Sequence, residues 1–114
     1  MKFVSFNVNG LRSILKKTFE EDFYSFDADI FSLNETKLSD DSFPFMPEGC
    51  NVYHTYSKVR KGYSGVAVFS KKFPLNVHYG LLDNKYDDEC RVITLEFEKF
   101  YYVACYVPNA GDEL

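Results

Sequence analysis

The feature that most constrains this chain is a change of hydrophobic period within its first third. Lys2 to Val8 alternates Phe and Val with smaller or polar residues, the period-two signature of a strand. From Leu11 to about Phe26 the apolar residues Leu11, Ile14, Leu15, Phe19, Phe23 and Phe26 recur at steps of mostly three and four, which predicts one helix with a single buried face. Asp29 to Leu33 then forms a short apolar run that reads as a buried strand ending at Asn34-Glu35. Strand, helix, strand at this spacing predicts a βαβ crossover, because two parallel strands need a connection long enough to return to the same end of the sheet.

Beyond it the pattern is all strand. Ser39 to Gly49, with Pro44 and Pro47, reads as loop. Strands are expected over Asn51–Tyr56, Gly65–Ser70 and Leu75–Tyr79, and a hairpin around Glu98-Lys99 joins Val92–Phe97 to Phe100–Val107. With 114 residues, 46% hydrophobic and 18% aromatic, the chain fits one α/β unit and is too apolar for a disordered segment. The formal charge of −4 neither demands nor forbids a polyanionic partner, since local patches steer association more than the total does. Three cysteines, Cys50, Cys90 and Cys105, without CxxC spacing point to reduced thiols and not to a disulfide framework or zinc site. No secretory leader is visible at the start and no apolar run approaches a membrane span, so the expectation is a cytoplasmic protein, or a nuclear one in a eukaryote, with no membrane partner.

Four segments carry side chains suited to chemistry. Phe6-Asn7-Val8-Asn9-Gly10 places two carboxamides after the first strand, and Asn34-Glu35-Thr36-Lys37 places a carboxylate and an ammonium after the second. Open α/β sheets carry their sites at such carboxyl ends. If the two strands are neighbours, Asn7 and Glu35 lie side by side, and a carboxylate with neutral oxygen donors suits a hard cation such as magnesium. Taken alone, Asn-Gly is also a common turn and Glu-Thr-Lys is ordinary surface composition. Lys61-Gly62-Tyr63-Ser64-Gly65 follows Lys58 and Arg60, and reads either as a basic and aromatic nucleic-acid surface or as a glycine-pinched turn before a buried strand. Tyr106-Val107-Pro108-Asn109-Ala110-Gly111 ends the last strand, where a tyrosine is commonly half-buried and hydrogen-bonded.

Taken together, Phe-Asn-Val-Asn-Gly-Leu-Arg, Glu-Thr-Lys, Gly-Tyr-Ser-Gly-Val-Ala, Cys90-Arg91-Val92 and Tyr-Val-Pro-Asn-Ala-Gly occur in the order and approximate spacing of one family. The sequence resembles exonuclease III and the apurinic/apyrimidinic endonucleases, within the endonuclease/exonuclease/phosphatase superfamily, from Lys2 to Gly111. The resemblance implies an α/β, DNase I-like four-layered sandwich, of which residues 1–114 would be the amino-terminal half: one mixed β-sheet with a covering helix. It implies Glu35 as a ligand of Mg²⁺ (Mn²⁺ being the alternative), Asn7 beside it ordering metal and phosphate, and Lys37 supporting the local charge network. It also implies Tyr106 as an active-site tyrosine and Asn109 as a phosphate contact. Tyr63 and Arg91, with Arg12 and Lys61, would belong to the DNA-binding surface. The implied substrates are DNA with abasic sites, cleaved 5′ to the lesion, and DNA 3′ ends.

The departures define a second expectation. Asn34 stands where the family commonly has glutamine. The family's later motifs, Gly-Asp-x-Asn, a further metal-associated aspartate and Ser-Asp-His, are not in this sequence, and neither His54 nor His78 sits in such a context. The isolated chain is therefore expected to be inactive, because groups that act as a unit lose most of their effect when some are missing. It would need a complementary carboxyl-terminal half, or self-associate. The alternative reading is a non-catalytic nucleic-acid-binding fragment. A third keeps the superfamily but changes the substrate to that of its phosphatases, sphingomyelinases or DNase I-like enzymes, with Tyr-Val-Pro-Asn-Ala-Gly and Glu-Thr-Lys favouring DNA repair.

Overall fold

The structure, a computed structural model, describes residues 1–38, 43–56, 65–79 and 92–105. Seven strands are present among them: β1 Phe3–Asn7, β2 Ile30–Asn34, β3 Asn51–His54, β4 Val66–Ser70, β5 Asn76–Tyr79, β6 Val92–Glu96 and β7 Tyr101–Cys105. Two helices, α1 Leu11–Ile14 and α2 Phe19–Phe26, lie between β1 and β2. Each strand matches an alternating or apolar run of the sequence to within two residues at either end.

β1 and β2 pair in parallel, as the strand–helix–strand pattern requires, with Phe3 opposite Ile30 and Asn7 opposite Asn34. β4 runs antiparallel to β2 and β3 antiparallel to β4, which gives a mixed sheet in the order β1-β2-β4-β3. The α/β class and the mixed sheet are as expected. The difference lies in the remaining strands: β5, β6 and β7 do not extend that sheet but form a second, antiparallel one. The reason is visible at residues 71–75, where Pro74 interrupts pairing and the chain crosses to the other layer before Leu75 N–H donates to Glu96 O at 2.6 Å.

Strict alternation on the mixed sheet produces two separate cores. Phe31 and Leu33 on β2 and Ala67 and Phe69 on β4 face the helices, where they join Leu11, Phe19, Phe23 and Phe45. Ile30 on β2 and Val66 and Val68 on β4 face the second sheet and pack on Ile93, Leu95 and Ala104. Both β2 and β4 are covered on both faces, which explains why they read as unbroken apolar runs. The helix-side core is built from phenylalanines: the Phe23 ring lies 4.9 Å from Phe31, 5.0 Å from Phe69 and 5.2 Å from Phe45, mostly edge to face.

The predicted single helix from Leu11 to Phe26 is two. A tight turn at 15–18 closes with i→i+3 bonds, Lys16 N–H to Ser13 O and Lys17 N–H to Ile14 O. Leu11 before the turn and Phe19 after it both reach the same core. Glu20, Glu21 and Asp22 sit in the first turn of α2, where its dipole favours them. No helix among the described residues is long and apolar enough to cross a membrane.

Asp27 ends α2 in the left-handed conformation and receives Lys71 at 2.6 Å, a link from helix to β4. The hydrogen bond and charge of Lys71 hold the Asp27 carboxyl below its ordinary value. The pair therefore stabilises the fold above the unfolded carboxyl pKa, and the contribution disappears as pH falls through the lowered folded one. Thermal melts of the chain and of Lys71→Met should differ modestly at neutral pH, both partners being solvent-accessible, and converge in strong acid.

Candidate active site at the carboxyl ends of β1 and β2

Parallel pairing places Asn7 and Asn34 opposite one another as the last residues of β1 and β2. The chains stay joined past the strand ends. Val8 N–H donates to Asn34 O at 3.1 Å, Gly10 N–H to Glu35 O at 2.8 Å, and Leu11 N–H to Thr36 O at 2.9 Å. A third segment closes the assembly, with Thr36 N–H donating to Gly65 O at 3.1 Å. The loop after β1, the loop after β2 and the entry to β4 thus form one hydrogen-bonded unit.

Its backbone is unusual. Asn9, Gly10, Glu35, Lys37 and Gly65 all have positive φ, whereas elsewhere among the described residues only Asp27 and Gly49 do. For Glu35 (φ 60°) and Lys37 (φ 56°) this is a conformation that costs free energy, and such residues persist where their surroundings over-determine them. Thr36 between them is 1% exposed and acts as the anchor.

The polar side chains form a chain of contacts. Asn9 N–H donates to Asn7 Oδ1 at 2.9 Å, closing an Asx turn, and Lys37 Nζ donates to Asn9 Oδ1 at 2.7 Å. The structure therefore brings Asn7 and Lys37 together through Asn9 and sets Glu35 on the neighbouring loop. The carboxamide oxygens of Asn7 and Asn9 each keep a second lone pair. One carboxylate with two carboxamides is a donor set that fits a hard, largely hydrated cation held through few protein oxygens. Among the described residues no group of three or more His, Cys, Asp or Glu side chains gathers at one point.

Arg12 lies on α1 just beyond the loop, solvent-exposed and without a hydrogen bond or ion pair among the described residues; it does not join the Asn7–Asn9–Lys37 chain. Tyr63, Lys61, Arg91, Tyr106 and Asn109 lie outside the described residues. Asn9, Thr36 and Gly65 were not singled out by sequence reasoning. Asn9 was visible as the second carboxamide of its motif, but period-two spacing gives no reason to prefer it as the bridge. The Thr36–Gly65 contact joins loops far apart in sequence and leaves no local signal.

The chain is similar to known proteins along nearly all of its length. The chain is 49% identical over 114 residues to an exodeoxyribonuclease of Bacillus subtilis, covering 96% of this chain and 44% of that one. It is 45% identical to the DNA repair nuclease APEX1 of Danio rerio, covering 97% of this chain and 37% of the relative. Among solved structures, the 3′-5′ exonuclease NExo of Neisseria meningitidis superposes with a TM-score of 0.81 at 30% identity, over 96% of this chain and 43% of that one. The chain thus spans less than half the length of each of these relatives. Residues 4–113 match the Endonuclease/Exonuclease/phosphatase family, and the chain belongs to that family.

Proposed function

We propose that the chain supplies the metal-binding part of a DNA-repair nuclease site, hydrolysing phosphodiesters 5′ to abasic sites and at 3′ ends once a complementary carboxyl-terminal half completes it. The observation that carries this reading is the pairing of Asn7 with the Glu35 loop at the ends of adjacent parallel strands, braced by Asn9 and Lys37. Glu35 would hold Mg²⁺, or Mn²⁺, with Asn7 beside it; the ion's contribution is to neutralise phosphate oxygens and stabilise the leaving alkoxide. Asn7 is fixed at Oδ1 by the Asn9 N–H, so its amide NH₂ is oriented by the Asx turn and available to a phosphate oxygen. Lys37, held on Asn9, adds positive charge for the same anion. Tyr106 and Asn109 are proposed as further phosphate contacts, and Tyr63, Arg91, Arg12 and Lys61 as DNA-surface residues.

The need for a complementary half has structural support. Among the described strands, β1 and β7 are at the edges of their respective sheets, on the same side of the sandwich. The Phe3 ring is 5.4 Å from Tyr102, and Ser32 Oγ is 3.0 Å from the Tyr102 hydroxyl. Two edges side by side that no described strand covers, with Phe3, Phe6 and Val103 each roughly half exposed, form a surface on which further strands would extend both sheets together.

Reconstitution tests the reading. The chain mixed with the carboxyl-terminal half of the Bacillus subtilis relative should nick duplex DNA at an abasic site in Mg²⁺, stop on adding EDTA, and do neither as separate halves. A reconstituted complex that binds DNA in a salt-dependent way without turnover would favour a non-catalytic fragment.

A further inference from the structure

At the end of the sandwich opposite Asn7 and Glu35, the connection from β4 to β5 and the β6–β7 hairpin turn enclose an open hollow of about 440 Å³. Its floor is aromatic: Phe97 and Phe100 stack with centroids 4.9 Å apart, and Phe97 N–H donates to Phe100 O at 2.8 Å to close the turn beneath them. Its wall carries apolar groups left in water, Phe73 at 80% exposure and Leu75 at 64%. Lys72 and Lys99 line the rim. Neither ammonium group makes a hydrogen bond or ion pair among the described residues, although the nearby Lys71 is paired with Asp27.

We propose that this hollow docks a short acidic peptide segment of a partner protein. One aromatic or aliphatic side chain would sit against Phe73, Leu75 and Phe100, and flanking carboxylates would meet Lys72 and Lys99. Charge complementarity selects the occupant. On a chain of net charge −4, two unpaired ammonium groups flanking exposed apolar surface favour an anionic ligand with an apolar anchor. A nucleic acid fits less well, because an extended polyanion is held by a row of cations along its backbone, and Glu98 stands here beside Lys99 on the same rim. The segment is also pre-formed. Pro74 stiffens one wall, Ser70 Oγ donates to Lys72 O at 2.7 Å, and the hairpin turn is closed, so little ordering cost opposes binding. This inference does not rest on the nuclease reading.

Fluorescence anisotropy of the full chain with a labelled peptide of three aspartates followed by leucine and phenylalanine tests it. Saturable binding is expected, weakened by added salt and weakened at least about 10-fold by Lys72→Glu combined with Lys99→Glu. Phe73→Ser should weaken it comparably and leave the salt dependence in place. The same lysine variants should not change nicking by the reconstituted enzyme, and circular dichroism should show them folded, as expected for exposed positions. Absence of saturable binding at millimolar peptide overturns the proposal, as does binding indifferent to the lysine reversals. So does displacement of the peptide by a single-stranded oligonucleotide that depends on the same lysines.

Discussion

Replacing Glu35 by alanine should reduce abasic-site nicking by the reconstituted enzyme by at least about 100-fold, while the melting temperature of the chain stays within a few degrees. The two halves of that expectation have separate causes. Glu35 is the carboxylate of the donor set, and a neutral side chain there leaves only carboxamides, which bind a hard dication weakly. Glu35 O accepts from Gly10 N–H at 2.8 Å, a backbone bond that alanine keeps. Glu35→Gln sharpens the measurement, because it preserves length and hydrogen-bonding capacity but removes charge. Rates for both variants should recover partly as metal concentration rises if the loss lies in metal affinity. A Glu35→Ala enzyme as fast as its parent at all metal concentrations would remove this residue from the site.

The second large effect is on stability. Gly65→Ala should lower the unfolding free energy by about 3 kcal/mol, a fall of roughly 10–20 °C in Tm for a domain of this size. Gly65 has φ 103°, which strains any side chain, and a Cβ there would press into Thr36 Oγ1 and lie 3.2 Å from Thr55 O. Thr36 cannot yield easily, because its backbone is tied to both Gly65 and Leu11 and its side chain is 1% exposed. Gly49→Ala is the matched control. It also has positive φ, at 80°, but nothing lies within 4 Å of the added carbon, so only the conformational cost of about 1 kcal/mol remains. Equal Tm values for the two variants would show that the Thr36 contact is not the cause.

Much of the fold could be read from local pattern, and what escaped was set by distant contacts. β2 and β4 declared themselves because residues buried on both faces leave a continuous apolar run, and the βαβ spacing dictated that β1 and β2 be parallel. The helix break at 15–18 was hidden because the apolar spacing continues across it, and the i→i+3 bonds that close the turn leave no mark in that spacing. Division into two sheets was hidden as well, since a strand such as Val92–Glu96 has the same alternation whichever sheet it joins. At the site, Asn7, Glu35 and Lys37 were legible from residue type at strand ends. The bridge through Asn9 was not, because it depends on a left-handed backbone at Asn9 (φ 48°) and on a lysine 28 residues away.

The strand order has a consequence for how the chain is made. β2 lies at the middle of its sheet, yet its two neighbours are not equally available in time. β1 precedes it, but β4, whose residues 66–70 pair along its whole length, is translated more than 30 residues later. Until then Ile30, Phe31 and Leu33 present an apolar strand with one edge open, on a chain that has not yet acquired Val66, Val68 or Phe69 to cover it. A nascent chain in which β2 has emerged but residues 66–70 are not yet free to pair is therefore prone to aggregate.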